Sequence, residues 1–560
     1  MALQGRHRDV VQRAVMSIAG TDPSGGAGIQ ADLKTFTALG CYGTAVVTAL
    51  TAQNTTGVQA VHPAPPQFVE QQLRSVLADI DVRAIKTGML FDADNTRAVA
   101  RTLAAFYADA GAALPPLVCD PVCVSTSGHT LLHPDAIDVM VAELFPLVTL
   151  ITPNKCEAEL LLSRRGRPVK IDTLEDMVAS AEQLLALGPK AALLKGGHIT
   201  ATRADVDRVV SQHPHIRVVS EGLLSENMEI LQIVEEDAAA KILVVDVLRQ
   251  ADSTVFFISP RIESTSTHGT GCTLSAALAC ALSRGEDLIE ATRQATTFTH
   301  LGIENALPIG HGFGPLNHLH GLVMRVVPLP TPSSPHPLTR TLIQSTQDTW
   351  KAYVEHDFVR QLARGTLPRE CFLHFITQDY LYLKYYARAY GLLAAKSSSL
   401  DAIHAATQTI INIVNEVAMH KAYCAQWGIS AADLEATPEE AATTAYGAYI
   451  LDIGLQGDGA KLVVALAACL LGYGEVGLWL KKEAARPNTW VKLDNNPYTK
   501  WIDDYSGSEY QAAVQVGIAT LEALAVADPP SPARFEEWRM VWEKCTRLEK
   551  GFWDASLGVQ

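Results

Sequence analysis

The chain has 560 residues, 48% of them hydrophobic and 19% charged, which is typical of a folded protein but too long for a single hydrophobic core. Two or more domains are therefore expected. The formal net charge of −15 argues against nucleic acid as a main partner, because phosphate backbones bind basic surfaces. The longest apolar run, Leu462 to Leu471, is too short to span a bilayer, so we expect no membrane contact.

The cysteines and the first twenty residues indicate the cellular compartment in which the protein is expected to act. Ten cysteines without a CxxC pair indicate neither a disulfide framework nor a zinc site, so a reducing cytoplasm is expected. The beginning of the chain carries Arg6, Arg8, Asp9 and Arg13 without an apolar stretch, which disfavours a secretory signal. Its Arg-rich and nearly acid-free composition leaves a short mitochondrial presequence open as the alternative.

The first half alternates short β-rich apolar runs with helical stretches. The runs are Val15–Ala19, Ala84–Lys86, Leu117–Asp120, Leu147–Ile151 and Ala191–Lys195. This alternation predicts an α/β domain of three layers, with helices on both faces of a mainly parallel sheet and active-site loops at the carboxyl ends of the strands. The acidic region Gly222–Ser253 is compatible with an inserted helix and strand, and its residues indicate no chemistry.

A proline-rich segment divides the chain. Residues 328–337 read PLPTPSSPHP, which favours an extended linker between a domain at 1–327 and a domain at 338–560. The second domain is predicted to be all-α from apolar residues at three-and-four spacing. The periodic segments are Thr377–Lys396, Ala402–Trp427, Glu439–Leu455, Lys461–Lys482 and Ala533–Phe552.

A glycine-rich loop before a helix is the strongest single motif in the first half. It reads His268-Gly-Thr-Gly-Cys-Thr273 and leads into the apolar run Leu274–Leu282. Backbone N–H groups at Gly269, Thr270 and Gly271 can converge with the helix dipole on an anion such as a phosphoryl group. Cys272 falls in the first turn, where the dipole favours a thiolate. The alternative is a plain helix start with small residues for close packing.

Two further motifs follow predicted strands. Asn154 and Glu157 share a helix face and can reach the water shell of a Mg²⁺ bound to ATP phosphates, or they can simply form a capping box. Lys195 ends another strand, where it can hold phosphate charge or merely precede a turn. The sequence contains no GxxxxGK[ST] segment, so a P-loop kinase is excluded.

Several segments recur in the same order in the hydroxymethylpyrimidine (phosphate) kinases of the ribokinase superfamily, which the chain resembles from about Val15 to His320. They are Ser17–Lys34 (SIAGTDPSGGAGIQADLK), Thr48–Asn54 (TALTAQN), Lys86–Leu90 (KTGML), Asp120–Val122 (DPV), Thr152–Asn154 (TPN), Lys195–His198 (KGGH) and His268–Cys272 (HGTGC). Only the region Gly222–Ser253 departs clearly from that pattern. The resemblance implies a ribokinase-like α/β/α fold and ATP with Mg²⁺ as cofactors.

The resemblance also implies a role for each matching position. Residues that would hold the aminopyrimidine are Gly20, Asp32, Gln53, Met89 and Val122. Cys272 stands where most ribokinase relatives place an aspartate as general base, with Gly269 and Gly271 in the anion hole. ATP would contact Asn154, Lys195 and Thr270, and Glu157 would contact Mg²⁺ through water.

The second half presents polar and aromatic residues at helical spacing. They are Asp379, Tyr382 and Tyr386, then Cys469 and Tyr473, and finally Glu549, Phe552 and Trp553. Such a set can line a pocket for a flat heteroaromatic ligand between helices, although aromatic stripes and lone cysteines are more often core. Spacing alone therefore leaves both interpretations open.

The order of motifs resembles the thiaminase II family from Leu338 to Trp553. The motifs are Gly365–Pro368 (GTLP), Gln378–Leu383 (QDYLYL), Thr444–Tyr446 (TAY), Cys469–Gly477 (CLLGYGEVG), Trp501–Tyr505 (WIDDY) and Glu549–Trp553 (EKGFW). This implies that Cys469 is the nucleophile, Asp379 binds the amine and nitrogen edge of the ring, and Glu549 is the acid and base. The tyrosines expected to orient or wall the ring are Tyr382, Tyr446, Tyr473 and Tyr505.

One departure bears on substrate preference. Family members often have proline before the cysteine and an aromatic pair after it, whereas this chain has Ala468 before and Leu470 and Leu471 after.

The two resemblances together imply a fungal-type bifunctional enzyme of thiamin biosynthesis and salvage. One half would phosphorylate hydroxymethylpyrimidine twice, and the other would hydrolyse thiamin or aminopyrimidine breakdown products. Its partners would be these small molecules and, we expect, further copies of the chain. A helical half that only binds thiamin-like ligands or drives assembly is the main alternative, and a pyridoxal-type kinase is a third, which HGTGC and the Gln53 segment disfavour.

Overall fold

The computed structural model describes residues 12–122, 134–164, 169–220, 242–322 and 325–558, with the backbone alone at 134, 416, 418–420, 422 and 423. The chain forms two compact units, 1–322 and 323–560. Each unit has its own hydrophobic core.

The first unit contains eleven strands within the described residues. They are β1 (Ala14–Ala19), β2 (Tyr42–Val47), β3 (Ala49–Asn54), β4 (Gly57–Pro63), β5 (Val82–Thr87), β6 (Leu117–Cys119), β7 (Leu150–Ile151), β8 (Ala191–Leu194), β9 (Ile216–Ser220), β10 (Leu243–Gln250) and β11 (Ser253–Pro260). Nine of them form one sheet in the order β2-β1-β5-β6-β7-β8-β10-β11-β9, and β3 with β4 forms a separate hairpin.

The pairing confirms the predicted sheet, which is parallel from β2 through β8. The strand β10 is the exception, since it runs antiparallel to both of its neighbours, β8 and β11. The strand expected at Leu147–Ile151 begins later, because Pro146 lies in a 3-10 turn over Phe145–Leu147 that delays the extended backbone. Within the region Gly222–Ser253, residues 243–250 form β10, whereas the helix considered for residues 222–241 lies outside the described residues.

Helices cover both faces of the large sheet. They are α1 (Gly28–Ala38), α2 (Pro66–Leu77), α3 (Ala93–Asp109), α4 (Pro134–Val139), α5 (Lys155–Ser163), α6 (Leu174–Leu185), α7 (Arg203–Gln212), α8 (Thr270–Ser283) and α9 (Leu288–Glu304). Every residue of β1 and β8 is buried, which is the pattern of central strands covered on both sides. One apolar core lies on each face, so the domain has the three predicted layers.

The second unit is all helical in its described part, as predicted. Its helices are α10 (Pro337–Ser345), α11 (Gln347–Val354), α12 (Asp357–Arg364), α13 (Arg369–Lys396), α14 (Leu400–Gln426), α15 (Ala431–Ala436), α16 (Ala441–Gln456), α17 (Gly459–Ala484), α18 (Thr499–Ser506), α19 (Ser508–Ala527) and α20 (Pro532–Leu557). Five of the six long helices match the periodic segments. The helix α19 escaped prediction because small and apolar residues continue around most of its surface.

Two of these helices are long and apolar enough to cross a membrane by length and composition. The most apolar window of α17 is 67% buried, as in a core helix, whereas that of α19 is only 22% buried. The exposed side of α19 includes Ala512, Val516, Ala519 and Ala523 and carries no charge among them. An uncharged apolar face of this kind marks a surface with a potential for association.

Candidate active sites

The N-terminus of α8 is built around a glycine that no other residue can replace. Gly269 has φ 79°, and a Cβ there would lie 1.8 Å from the carbonyl oxygen of Gly26. This close approach joins the loop before α1 to the start of α8. The first-turn N–H groups of a helix have no intrahelical acceptor, so those of Gly271 and Cys272 are suited to an anion.

Charged side chains from the ends of β6 and β8 converge on Gly271. Lys195 donates from Nζ to Asp120 Oδ1 at 2.9 Å and lies 3.9 Å from Glu157 Oε2. A Cβ on Gly271 would lie 3.1 Å from Lys195 Nζ and 3.3 Å from Asp120 Oδ2. Burial works to lower the pKa of Lys195, but Asp120 and Glu157 outweigh it and raise the pKa, so the lysine stays charged.

Asn154 and Glu157 form the capping box that was considered as the alternative to a metal role. The Asn154 side chain accepts from the Glu157 backbone N–H at 2.9 Å, and Glu157 Oε2 accepts from the Asn154 N–H at 2.8 Å. The box orients Glu157 toward Lys195, so the capping role and a place at the edge of the site are compatible.

Cys272 lies where predicted, but its protonation state differs from the expectation. Burial raises the pKa of the thiol to about 11, and the opposing effect of Lys86 is smaller. The expectation of a thiolate favoured by the helix dipole is therefore wrong for the free protein, because desolvation of the sulfur outweighs the dipole. Cys272 is a neutral thiol at neutral pH until a ligand changes its surroundings.

The positions predicted to hold the aminopyrimidine gather at the ends of β1, β5 and β6. A Cβ on Gly20 would lie 2.3 Å from Met89 Cε, so this glycine leaves room for the methionine. Val122 lies three residues after the end of β6, and its N–H donates to the Asp120 carbonyl at 2.8 Å. These three residues thus lie at the edge where parallel sheets bind ligands.

Asp32 belongs to a buried ion pair that sequence reasoning missed. Lys86 Nζ contacts both carboxylate oxygens at 2.9 and 2.8 Å, and Ser17 Oγ donates to Asp32 Oδ2. Both charged side chains are fully buried. Burial works to lower the pKa of Lys86, but the carboxylate outweighs it and raises the pKa. A lysine directly after the apolar residues Ala84 and Ile85 of a predicted strand was the signal that could have revealed the pair.

Asp22 organises the loop between β1 and α1 and was also missed. It accepts from the backbone N–H groups of Ser24, Gly26 and Ala27 and from His268 Nε2 at 2.8 Å. Burial alone raises the pKa of Asp22, but these hydrogen bonds, that of His268 foremost, lower it to about 2. Gln53 Nε2 lies 3.4 Å from His268 Nε2, so the hairpin β3–β4 extends to the same place.

The helical unit brings its predicted residues into one aromatic pocket. Tyr382 of α13 stacks on Tyr446 of α16 with ring centroids 4.6 Å apart, and Phe552 of α20 packs edge-on at 5.7 Å from Tyr382. On the other side, Tyr473 of α17 lies 5.0 Å from Tyr505 of α18. Such offset and edge-to-face rings form walls suited to a flat ring.

Glu549 and Cys469 interact within this pocket. Glu549 is 2% exposed, and burial raises the pKa of its carboxyl to about 8, with the Tyr446 hydroxyl and the Cys469 thiol opposing the rise. Burial, followed by the nearby charges of Glu549 and Asp379, raises the pKa of Cys469 well above its ordinary value. At neutral pH the free site therefore holds a protonated acid beside a protonated thiol.

Several polar atoms of the pocket have no hydrogen-bond partner among the described residues. They are the hydroxyls of Tyr353, Tyr382 and Tyr446 and Glu549 Oε1. A buried polar atom without a partner costs about 1–3 kcal/mol, so native structures rarely keep several together without a purpose. The cluster indicates a binding site for a polar ligand more strongly than a structural core.

An anion-binding helix terminus at the carboxyl edge of a parallel sheet, faced by a charged lysine, defines the first unit as a phosphotransferase. Residues 22–229 and 233–317 match the model of the phosphomethylpyrimidine kinase family, and the chain belongs to that family. Residues 343–558 match the model of the TENA/THI-4/PQQC family. The chain thus joins a kinase unit to a helical unit of a second family.

Relatives exist for the whole chain and for its first half. A Schizosaccharomyces pombe protein named as a hydroxymethylpyrimidine/phosphomethylpyrimidine kinase is 36% identical over 96% of this chain and 90% of its own length. The hydroxymethylpyrimidine/phosphomethylpyrimidine kinase of Rhizobium meliloti is 40% identical over 54% of this chain and 96% of its own. A solved ADP complex of Bacillus subtilis pyridoxal kinase is 30% identical, covers 55% of this chain and 97% of its own, and has a TM-score of 0.43.

Proposed function

We propose that the first unit transfers the γ-phosphoryl group of ATP to hydroxymethylpyrimidine and then to its monophosphate. The observation that carries the proposal is the convergence of Lys195, Asp120 and the N-terminus of α8 on Gly271. Lysine charge and helix N–H groups stabilise the negative charge that develops on a phosphoryl group in transit. The family match and the relatives named above support the choice of pyrimidine.

Cys272 has to lose its proton for the alcohol substrate only. With its pKa near 11 in the free protein, the thiol is a weak base, so positioning and charge stabilisation supply most of the catalysis. The second substrate is already an anionic phosphate and requires no base. A neutral thiol next to the helix terminus also avoids placing a negative charge beside the incoming phosphates.

The residues near Lys195 fit ATP with Mg²⁺. Glu157 and Asn154 offer the hard oxygen atoms that Mg²⁺ prefers, and no group of three or more His, Cys, Asp or Glu side chains gathers as a metal site in the described ranges. The ion would therefore be held mainly by ATP and water, where it neutralises phosphate charge. A cleft lined by Asp246, Phe257, Thr296 and His300 lies beside Gly196, whose N–H donates to Asp246, and suits the base of ATP.

The test compares two lysines at the ends of the same strand. Lys195 follows β8 and lies in the site, whereas Lys190 precedes β8 and is exposed. In the full chain with hydroxymethylpyrimidine, ATP and Mg²⁺, we expect Lys195→Met to lower the rate at least about 100-fold. Lys190→Met should match the wild type. Equal rates for the two variants would show that this site does not catalyse the reaction. Preferential phosphorylation of pyridoxal would show that hydroxymethylpyrimidine is not the main substrate.

We further propose that the helical unit hydrolyses thiamin or its aminopyrimidine breakdown products to hydroxymethylpyrimidine. The Cys469 thiol would add across a carbon–nitrogen double bond of the pyrimidine ring, with its sulfur on the carbon and its proton on the ring nitrogen, and Glu549, protonated at neutral pH, would protonate the departing group. Water then adds to the freed carbon and gives a proton to Glu549, and the carbon–sulfur bond breaks as the ring nitrogen returns its proton to the sulfur. The unpartnered polar atoms around Glu549 support a catalytic site.

Product analysis on the full chain separates hydrolysis from mere binding. Release of hydroxymethylpyrimidine from thiamin or an aminopyrimidine supports the hydrolase. Cys371→Ser is the control, because Cys371 is a buried cysteine of the same unit that lies two turns before Asp379 on α13. Tight ligand binding without turnover in the wild type would leave the helical unit as a binding module.

We also propose that the chain self-associates through α19 and acts in the cytoplasm. The exposed Val516 and Val526 are 67% and 44% accessible, and this apolar face supports a second copy as the occupant. Val516→Lys should reduce the mass measured by light scattering, and an unchanged mass would exclude this face.

All nine cysteines with a described side chain are free thiols, which fits a reducing compartment. The relative from Rhizobium meliloti, which covers 54% of this chain and 96% of its own length, supports separate domains.

A further inference from the structure

Tyr353 packs between α17, which carries the proposed nucleophile Cys469, and α20, which carries the proposed acid Glu549. No sequence motif identified this tyrosine. Its ring fills the space that Gly472 leaves open, since a Cβ there would lie 2.1 Å from Tyr353 Cε1. Gly472 follows Cys469 by one turn on α17. The same ring stacks on Trp553, one turn after Glu549 on α20, with centroids 6.1 Å apart and planes 20° from parallel. The tyrosine is therefore placed by both catalytic helices at once.

The Tyr353 hydroxyl lies against the helix of the nucleophile, where a Cβ on Gly472 would be 2.9 Å from it. The side chain is fully buried, and neither its hydroxyl nor Glu549 Oε1 has a hydrogen-bond partner in the described part of the chain. Burial raises the pKa of Tyr353 well above its ordinary value, and among the neighbouring ionisable groups Glu549 contributes most, followed by Cys469. The hydroxyl and the carboxyl oxygen thus belong to side chains held by the same packed helices, and they form no direct hydrogen bond.

We propose that Tyr353 and Glu549 together hold the water molecule that replaces the leaving group. A water between the two would accept from the tyrosine hydroxyl and donate to the carboxylate, which satisfies both unpartnered atoms. This assignment rests on the proposed hydrolase function. It makes Tyr353 a residue that selects water as the second nucleophile.

The step balances with the groups present. Glu549 has given its proton to the departing group and is a carboxylate when water attacks. The water oxygen forms a bond to the exocyclic carbon and its proton passes to Glu549. The electron pair of the carbon–sulfur bond then returns to Cys469, which takes back the proton held by the ring nitrogen. Tyr353 keeps its proton throughout, as its raised pKa requires.

Partitioning between water and an added nucleophile tests this role in the full chain. Tyr353→Phe keeps the ring and removes the hydroxyl, so added thiol or amine should capture more of the reacting pyrimidine. We expect the ratio of captured product to hydroxymethylpyrimidine to rise at least about tenfold, the equivalent of one lost hydrogen bond near 1.4 kcal/mol. The melting temperature should not fall, because the hydroxyl that is removed has no partner in the described structure.

Tyr498→Phe is the matched control. Tyr498 is 2% exposed, and its hydroxyl donates to the Leu367 carbonyl at 2.7 Å. Its loss should lower the melting temperature by about 2–4 °C and leave the partition ratio unchanged. An unchanged ratio in Tyr353→Phe with wild-type hydrolysis intact would overturn the water assignment alone. No hydrolysis in the wild type would overturn the hydrolase proposal and this assignment with it.

Discussion

Replacing Glu549 by glutamine should make the helical unit more stable while it stops hydrolysis. In the folded chain burial raises the pKa of this carboxyl from 4.5 to about 8. The unfolded chain therefore ionises first as the pH rises. A raised carboxyl pKa gives stability that is fully present below pH 4.5 and is lost as the pH rises through about 8. Glutamine has a similar shape, does not ionise and escapes this loss.

The size of the effect follows from the two pKa values. At pH 7 the carboxyl is ionised in the unfolded chain and mostly protonated in the folded protein, and this difference favours the unfolded chain by about 3 kcal/mol. At pH 5 the same difference is under about 1 kcal/mol. Glu549→Gln should therefore gain about 3 kcal/mol in unfolding free energy at pH 7 and little at pH 5. Turnover should fall about 100-fold or more, because an amide cannot carry the proton.

Urea unfolding followed by tryptophan fluorescence measures this gain in the full chain. All eight tryptophans lie between residues 350 and 553, so their emission reports on the helical unit. Glu522→Gln is the control, since Glu522 is also buried but accepts hydrogen bonds from the Leu338 and Thr339 N–H groups and the Thr339 hydroxyl. That variant should lose stability. A loss for Glu549→Gln at both pH values, or a gain independent of pH, would refute the reasoning.

Three other outcomes are expected. Gly271→Asp places a carboxylate beside Asp120 and should lower phosphorylation at least about 100-fold with hydrolysis unchanged, and loss of both activities would contradict independent units. Cys469→Ser should abolish hydrolysis but keep ligand affinity by titration within about threefold, since serine ionises far less than cysteine; retained turnover would exclude this nucleophile. Hydrolysis measured across pH should decline above about pH 8 as Glu549 loses its proton, and a flat profile to pH 10 would show another acid.

Local sequence patterns predicted the fold, because the strands and helices depend mainly on residues that are close together in the chain. Apolar runs bounded by glycine and proline located the central strands, and the parallel sheet then brought the motifs at residues 120, 154 and 195 to one edge. The helical unit was predictable for the same reason, since apolar periodicity is local. Only α19, apolar on most sides, gave no usable period.

The parts that escaped prediction depend on pairs far apart in the chain. His268 meets Asp22 across 246 positions, and Lys86 meets Asp32 across 54. Either partner alone is an ordinary polar residue, and only the fold makes the pair. The protonation of Cys272 depended on burial, which a motif does not report. Tyr353 lacked any signal, because its significance arises from a glycine 119 positions later.

The strand order of the large sheet also determines when the first unit can fold during synthesis. The edge strand β9 pairs only with β11, which is made about forty residues later, and β10 must fill the gap beside β8. The helix α8, which covers one face of the sheet with eleven consecutive buried residues from Thr273 to Ser283, leaves the ribosome later still. At about 5–20 residues per second, the sheet remains incomplete for tens of seconds after β1 emerges. Ribosome stalling before residue 283 would therefore leave an uncovered apolar sheet face available to chaperones or to aggregation.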